Sequence, residues 1–296
     1  MDKYLELIKT SYSNYWNYLK NSVLMDLNWE NYFYGLIIIS IAVWTLEAIF
    51  PWRKNQSLFR KDFWLDTFYM FFNFFLLNLL VLIALSNTAS QVFNDLLANI
   101  GLSIANFQLI AINELSFPLR IFIFFIVIDF VQWCTHRLLH KFEFLWNFHK
   151  VHHTVKEMGF AAHLRYHWME PVVYNSLKYI PLAIIGGFSA QDVAMVHFFN
   201  ITIGHLNHAN INWNYGWLKY ILNNPKMHIW HHAKELPEDR KEGVNFGITL
   251  SIWDYLFKTN YIPYSGRDIE LGFSGDEKFP KNFLQQELYP FGKKKN

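Results

Sequence analysis

Three apolar stretches punctuate the first half of the chain. The first runs from Phe33 to Phe50 and contains Leu36-Ile-Ile-Ile39 and Ile41-Ala-Val-Trp44. Pro51 and Trp52 close it, and Arg53 and Lys54 follow. The second runs from Thr67 to Ser86, after the charged segment Arg60-Lys-Asp-Phe-Trp-Leu-Asp66. The third covers residues 117–134 and leads directly into His136. At a rise of about 1.5 Å per residue, each is close to the length a helix needs to cross a bilayer. Two further apolar stretches, Pro171–Phe188 and Val193–Ile203, flank Gly186-Gly-Phe-Ser-Ala-Gln-Asp192. The first of these contains Lys178 and Pro181 and the second is short, so the pattern predicts a helical hairpin over about 171–207 that dips in and returns.

Charge orients the spans. The loop 51–66 carries Arg53, Lys54, Arg60 and Lys61, whereas 87–119 carries no lysine or arginine. The positive-inside rule places loop 51–66 in the cytoplasm and 87–116 outside. The third span then runs inward and delivers residues 136–170 to the cytoplasmic side. Segment 208–260 returns there, and the tail 261–296, ending in Lys293-Lys-Lys, is consistent with the same side. The expected architecture is an all-α integral membrane helical bundle with a cytoplasmic histidine-rich helical cap (136–170 and 208–260), a single membrane-embedded domain over 1–296.

Composition agrees with a membrane protein. Only 17% of residues are charged, against about 25% in soluble domains, while 52% are hydrophobic and 19% aromatic. The net charge of +2 forms no basic stripe, which argues against nucleic acid as a partner. The lone Cys134 excludes an internal disulfide and a cysteine-rich zinc site. No glycine-rich phosphate loop or dinucleotide fingerprint is present. The opening Met1-Asp-Lys-Tyr-Leu-Glu-Leu does not read as a cleavable signal peptide.

All thirteen histidines lie after residue 135. Eight fall into His136-Arg-Leu-Leu-His140, His149-Lys-Val-His152-His153 and His228-Ile-Trp-His231-His232. Residues at i, i+3 and i+4 share a helix face, so three short helices could converge into a cage of imidazoles. For one histidine alone, a surface or core role is the better account. Two copies of His-x-x-His-His beside His-x-x-x-His favour metal, and eight imidazoles exceed what one ion needs. Imidazole suits zinc, copper, iron and nickel, so ligand type does not select the ion. Neither His-x-x-His-His motif has a glutamate after its first histidine, which argues against a zinc protease.

In order and setting, these motifs resemble the fatty acid hydroxylase and sterol desaturase superfamily, its bacterial and alkylglycerol monooxygenase branches in particular. The resemblance covers about residues 60–260. It extends to Asp129, Arg165-Tyr-His167-Trp-Met-Glu170, His208-Ala-Asn-Ile, Asn245-Phe-Gly247 and Trp253-Asp-Tyr-Leu-Phe. Trp168 stands where the family often has proline, and Lys258 replaces a frequent glycine; neither is a candidate ligand.

The resemblance implies two iron ions, O2 as co-substrate, an external electron donor supplied by a redox partner protein on the cytoplasmic side, and hydroxylation of a C–H bond in a membrane lipid. Desaturation at the same centre is the nearest alternative, and a zinc-dependent membrane hydrolase or a non-catalytic lipid- or metal-binding protein the more distant ones. The candidate ligands are His136, His140, His149, His152, His153, His228, His231 and His232, with His208 added by the resemblance. Asp129, Glu170, Asp254 and Asn245 are candidates to orient ligating imidazoles, because such rings usually give their other N–H to an oxygen. For Asp254, a helix cap is the competing role. His205 and His167 remain open, and His163 and His197 are expected to be ordinary residues.

Overall fold

The computed structural model describes residues 2–28 and 31–291; the terminal Lys293-Lys-Lys lies outside them. Its helices are α1 (Asp2–Leu24), α2 (Tyr32–Ile49), α3 (Phe63–Phe71), α4 (Ile83–Asn99), α5 (Phe117–Lys141), α6 (Glu143–His153), α7 (Met169–Ile184), α8 (Ala190–His208), α9 (Pro225–His231), α10 (Ile252–Leu256) and α11 (Phe283–Leu288). Short 3-10 turns connect several of them. The described strands are Ile110–Ala111 and Ile185–Gly186, paired in parallel.

Three helical segments are long and apolar enough to cross a membrane: Tyr32–Ile49, Phe63–Asn99 and Phe117–Lys141. Their outward faces, for example Ile38, Ile41, Leu80, Leu85 and Phe122, remain exposed, as lipid-facing side chains would. Asn31 caps α2 by accepting from the Phe33 N–H at 2.8 Å, and the helix ends before Pro51, which disfavours helical backbone at the preceding residue. Pro118 sits in the first turn of α5, where no N–H partner is needed.

The second segment exceeds its expected span of 67–86. It is continuous over 37 residues, with α3 and α4 joined through two wide π-helical turns, Phe72–Leu76 and Asn78–Leu82. The polar residues beyond Ser86 stay helical because α1 lies against them. Asn87 donates to the Ser11 hydroxyl at 2.9 Å, and Asp95 accepts from Lys3 and the Tyr4 hydroxyl, each at 2.7 Å. The uninterrupted apolar run stops at Ser86, short of the end of the helix.

The histidine-bearing segments pack together at one end of these helices. Phe142 leaves helical geometry and breaks α5 from α6. The new helix begins with Glu143 and carries Lys150 in its last turn, the charge order that the helix dipole favours. Asn224 caps α9 by accepting from the Met227 N–H at 3.1 Å, and Pro225 follows at its first position.

A buried charge cluster anchors the loop before α7. Arg165 bonds to Asp66 at 3.0 Å and Asp62 at 3.3 Å, and Asp66 also binds Arg60. Asn73, at the first π turn, donates to the carbonyls of Leu164 and Tyr166.

Candidate metal centre

The folded chain brings nine imidazoles into two adjoining groups. His136, His140, His149, His153 and His231 form one; His152, His208, His228 and His232 form the other. Within each group, one ring nitrogen per residue lies within 4.8 Å of all the others. The groups share a boundary: the His153 and His232 rings stack at 4.5 Å, and those of His228 and His231 at 5.1 Å. Helix spacing accounts for this. His136 and His140 project from one face of α5, the α6 triplet divides with His149 and His153 in the first group and His152 in the second, and α9 with the residue that ends it sends His231 to the first and His228 and His232 to the second.

Hydrogen bonds fix which nitrogen faces inward. The Nδ1 of His136 donates to the Phe246 carbonyl at 2.8 Å, that of His152 to Arg165 at 3.1 Å, that of His208 to Gly204 at 2.8 Å and that of His231 to Val244 at 2.8 Å. The Nδ1 of His149 meets Glu170 Oε2 at 2.9 Å. A carbonyl can only accept, so in the four rings that meet one the proton resides on Nδ1 and the Nε2 lone pair points into the cluster; Glu170, raised well above the usual carboxylate range by burial, can itself hold the proton it shares with His149.

This assignment sets up an electrostatic conflict. The Nε2 atoms of His136 and His149 stand 3.1 Å apart, and those of His152 and His208 3.3 Å apart. In the second pair both protons are committed to Nδ1 by backbone carbonyls, so two lone pairs oppose each other with no proton between them. Four more ring nitrogens, Nε2 of His140, His153 and His231 and Nδ1 of His232, are buried without a hydrogen-bond partner. Buried polar atoms rarely go unpaired. A cation between the lone pairs resolves both problems, so the residues present fit bound metal.

The protonation state is also right for coordination. Burial, reinforced by repulsion among the rings, holds His149, His153, His228, His231 and His232 well below the usual histidine range, and burial brings His152 to about 4. All six are neutral donors at physiological pH.

The other candidate residues divide by what they touch. Of the four, Glu170 alone bonds directly to a clustered histidine among the described residues. Asp254 accepts from Trp133 Nε1, Thr259 Oγ1 and the backbone N–H groups of Phe246 and Gly247. It therefore holds the strand of chain whose Phe246 carbonyl receives His136. Asn245 donates to the carbonyls of Met227 and Tyr261, bracing the residue before His228. Its φ of 54° is left-handed, a conformation asparagine tolerates well. Asp129 contacts the Trp253 indole N–H at 2.8 Å and the Leu250 N–H at 3.3 Å rather than an imidazole.

His205 and His167 lie outside both groups. His205 bonds to His163 at 2.9 Å and to the Ser40 hydroxyl at 3.2 Å. His167 donates through Nε2 to the Glu287 carbonyl and accepts from the Met169 N–H, tying the start of α7 to α11. His197 stacks on Tyr32 and Phe74. One contributor has no motif to announce it: Asn223, whose amide donates to the Gly247 carbonyl at 2.6 Å and lies 3.4 Å from His228 Nδ1. The carbonyl acceptors are equally silent, since any residue type supplies one.

A cavity of about 500 Å³ opens beside the cluster. His136, His149, His152, His208 and His228 form its inner wall, and it extends past Tyr166 and Tyr174 to Asn73, Phe74, Asn78 and Leu82 on the π-helical turns and to Tyr15 and Tyr18 of α1. Histidine nitrogens thus face a largely apolar chamber between the apolar helices.

Residues 121–259 match the fatty acid hydroxylase family model, a stretch that contains all nine clustered histidines. The chain is 32% identical over 169 residues to an ornithine lipid hydroxylase of Rhizobium tropici, covering 57% of this chain and 49% of that protein. It is 31% identical over 137 residues to the alkylglycerol monooxygenase of Homo sapiens, covering 46% of this chain and 29% of that one. A very-long-chain aldehyde decarbonylase of rice is 25% identical over 142 residues, covering 45% and 22%. The chain thus spans half or less of the length of these relatives. No solved structure matches. Residues 121–259, which carry both histidine groups, thus match the fatty acid hydroxylase family model, within the superfamily that the histidine motifs resemble.

Proposed function

We propose that the chain is a membrane-bound, O2-dependent oxidoreductase that hydroxylates a C–H bond of a lipid at a centre of two iron ions. The observation that carries this reading is the close approach of inward ring nitrogens, His136 to His149 and His152 to His208, on the wall of a chamber of about 500 Å³. The relatives' names, ornithine lipid hydroxylase and alkylglycerol monooxygenase, support lipid hydroxylation as the reaction class.

In this reading His136, His140, His149, His153 and His231 hold one ion and His152, His208, His228 and His232 the other. The chemistry such ions supply when bound is O2 activation and oxidation of an unactivated C–H bond, which offers no handle for acid–base attack. The protein's own share is positional. Glu170 and four backbone carbonyls keep the rings aimed inward, the apolar walls exclude bulk water, and Tyr166 and Tyr174 border the path to the histidines.

Electrons come from an external donor protein. The positive loop between α2 and α3 supports a cytoplasmic face for the histidine groups and for that donor. The test combines metal analysis of iron-replete protein with a comparison of lipids from cells with and without the chain. Two irons per chain and a lipid gaining one oxygen are expected. A lipid losing two hydrogens instead would mark a desaturase, and two zinc ions with O2-independent turnover would overturn the reading.

A further inference from the structure

The chamber contains one cation that the histidine chemistry does not use. Lys178 lies on its wall, on α7. Glu170, Tyr174 and Lys178 occur at i, i+4 and i+8 and so share one face of that helix. Glu170 touches His149. Two helical turns, roughly 12 Å at the helical rise, therefore separate the lysine's backbone from the residue that meets the histidines. Tyr179 and Ile180, by contrast, are 56% and 58% exposed and turn outward.

Among the described residues no carboxylate lies within ion-pair distance of the Lys178 ammonium; it stands 5.7 Å from the centre of the Tyr174 ring, and Asp129 acts on it only from beyond hydrogen-bond reach. The remaining chamber wall is built of tyrosines, asparagines, histidines and apolar residues, with Glu170 committed to His149. A lipid tail needs no charge on the wall, and a neutral head group is served by tyrosine and asparagine. An ionisable side chain at membrane depth is costly to keep unless it meets a partner. Asn175, one turn before Lys178 and exposed, also borders the chamber.

We infer that Lys178 binds the anionic oxygen group, carboxylate or phosphate, of the lipid that enters this chamber, fixing which part of the chain reaches the histidine groups. The inference rests on the proposed function only in taking the chamber as the lipid's site. An ammonium facing an anionic oxygen makes a charge-assisted hydrogen bond that a hydroxyl of the same chain length cannot match.

The test uses the purified full-length chain in neutral detergent, titrated calorimetrically with oleate, with an oleoyl lysophosphatidate and with oleyl alcohol. The wild type is expected to prefer at least one anionic probe over the alcohol by about tenfold, and which one shows the preference distinguishes carboxylate from phosphate. Lys178→Met should abolish that preference and Lys178→Arg should retain it. The ratio of affinities is the readout, because a folding defect weakens all three ligands together. No preference in the wild type, or an undiminished one in Lys178→Met, overturns the inference. Product analysis runs separately: anion preference without O2-dependent product would leave Lys178's role standing and remove the hydroxylase reading, and hydroxylation without preference would do the reverse.

Discussion

Glu170 Oε2 and His149 Nδ1 share a hydrogen bond at 2.9 Å, with both side chains buried. This contact ties α6 to α7 and orients the His149 ring. Removing such an oriented acceptor costs about 10–100-fold in metal affinity at comparable sites. Glu170→Ala is therefore expected to lower iron content and turnover. Glu170→Gln, whose amide oxygen can still accept, should lose less. Metal content of the two variants at equal protein checks the order, and a fully loaded Glu170→Ala would dismiss the role.

The two histidine groups predict two separable losses. His140→Ala removes a ring from the first group and His208→Ala one from the second. Each should reduce bound metal from two ions toward one, and His152→Ala should abolish activity. None should prevent membrane insertion, since the apolar spans do not depend on these rings. Metal-to-protein ratios in membrane-extracted protein decide this. An unchanged ratio in all three variants would remove the two-ion assignment.

Acid should weaken the metal-free protein steeply. His152 and His167 are each held at about 4 by burial, against about 6.5 in an unfolded chain. Between those values the unfolded state binds more protons, so the stabilisation is complete above about pH 6.5 and is lost as pH falls toward 4. His149, His153, His228, His231 and His232, shifted in the same direction, add to the slope. Thermal melts of chelator-treated protein should show a falling midpoint below pH 6.5, with bound metal protecting against the fall. A flat midpoint down to pH 5 would contradict the neutral, buried cage.

Asp254 and Asp129 should separate structural from metal effects. Asp254 accepts four hydrogen bonds, two of them from the backbone at Phe246 and Gly247. Asp254→Ala strands those buried donors at about 1–3 kcal/mol each and frees the segment whose carbonyl holds His136. It should lower both stability and metal content. Asp129 binds Trp253 and Leu250, so Asp129→Ala should cost stability while a folded fraction keeps its metal. Melting midpoints measured beside metal ratios test the contrast, and equal metal loss in both variants would refute it.

The legible part of this protein is the part written in side-chain type and spacing. Apolar runs marked three membrane-length helices, and His-x-x-x-His with two copies of His-x-x-His-His marked nitrogen-rich helix faces. Helical periodicity makes both inferences local: neighbours at i, i+3 and i+4 meet whatever the rest of the chain does. Even the continuation of the second span to Asn99 lay beyond this rule, because it depends on α1 supplying Ser11, Lys3 and Tyr4 to the polar residues of α4.

The sequence by itself determined a helical membrane protein with an excess of clustered imidazole donors. Only the tertiary structure decided how the nine rings divide, with His152 and His153 on opposite sides of one boundary. It alone decided which nitrogen faces inward, because the acceptors that settle the tautomers are the backbone carbonyls of Arg165, Gly204, Val244 and Phe246. Every residue carries a carbonyl, so no pattern of residue types can single these out; only the path of the folded backbone brings them to the rings.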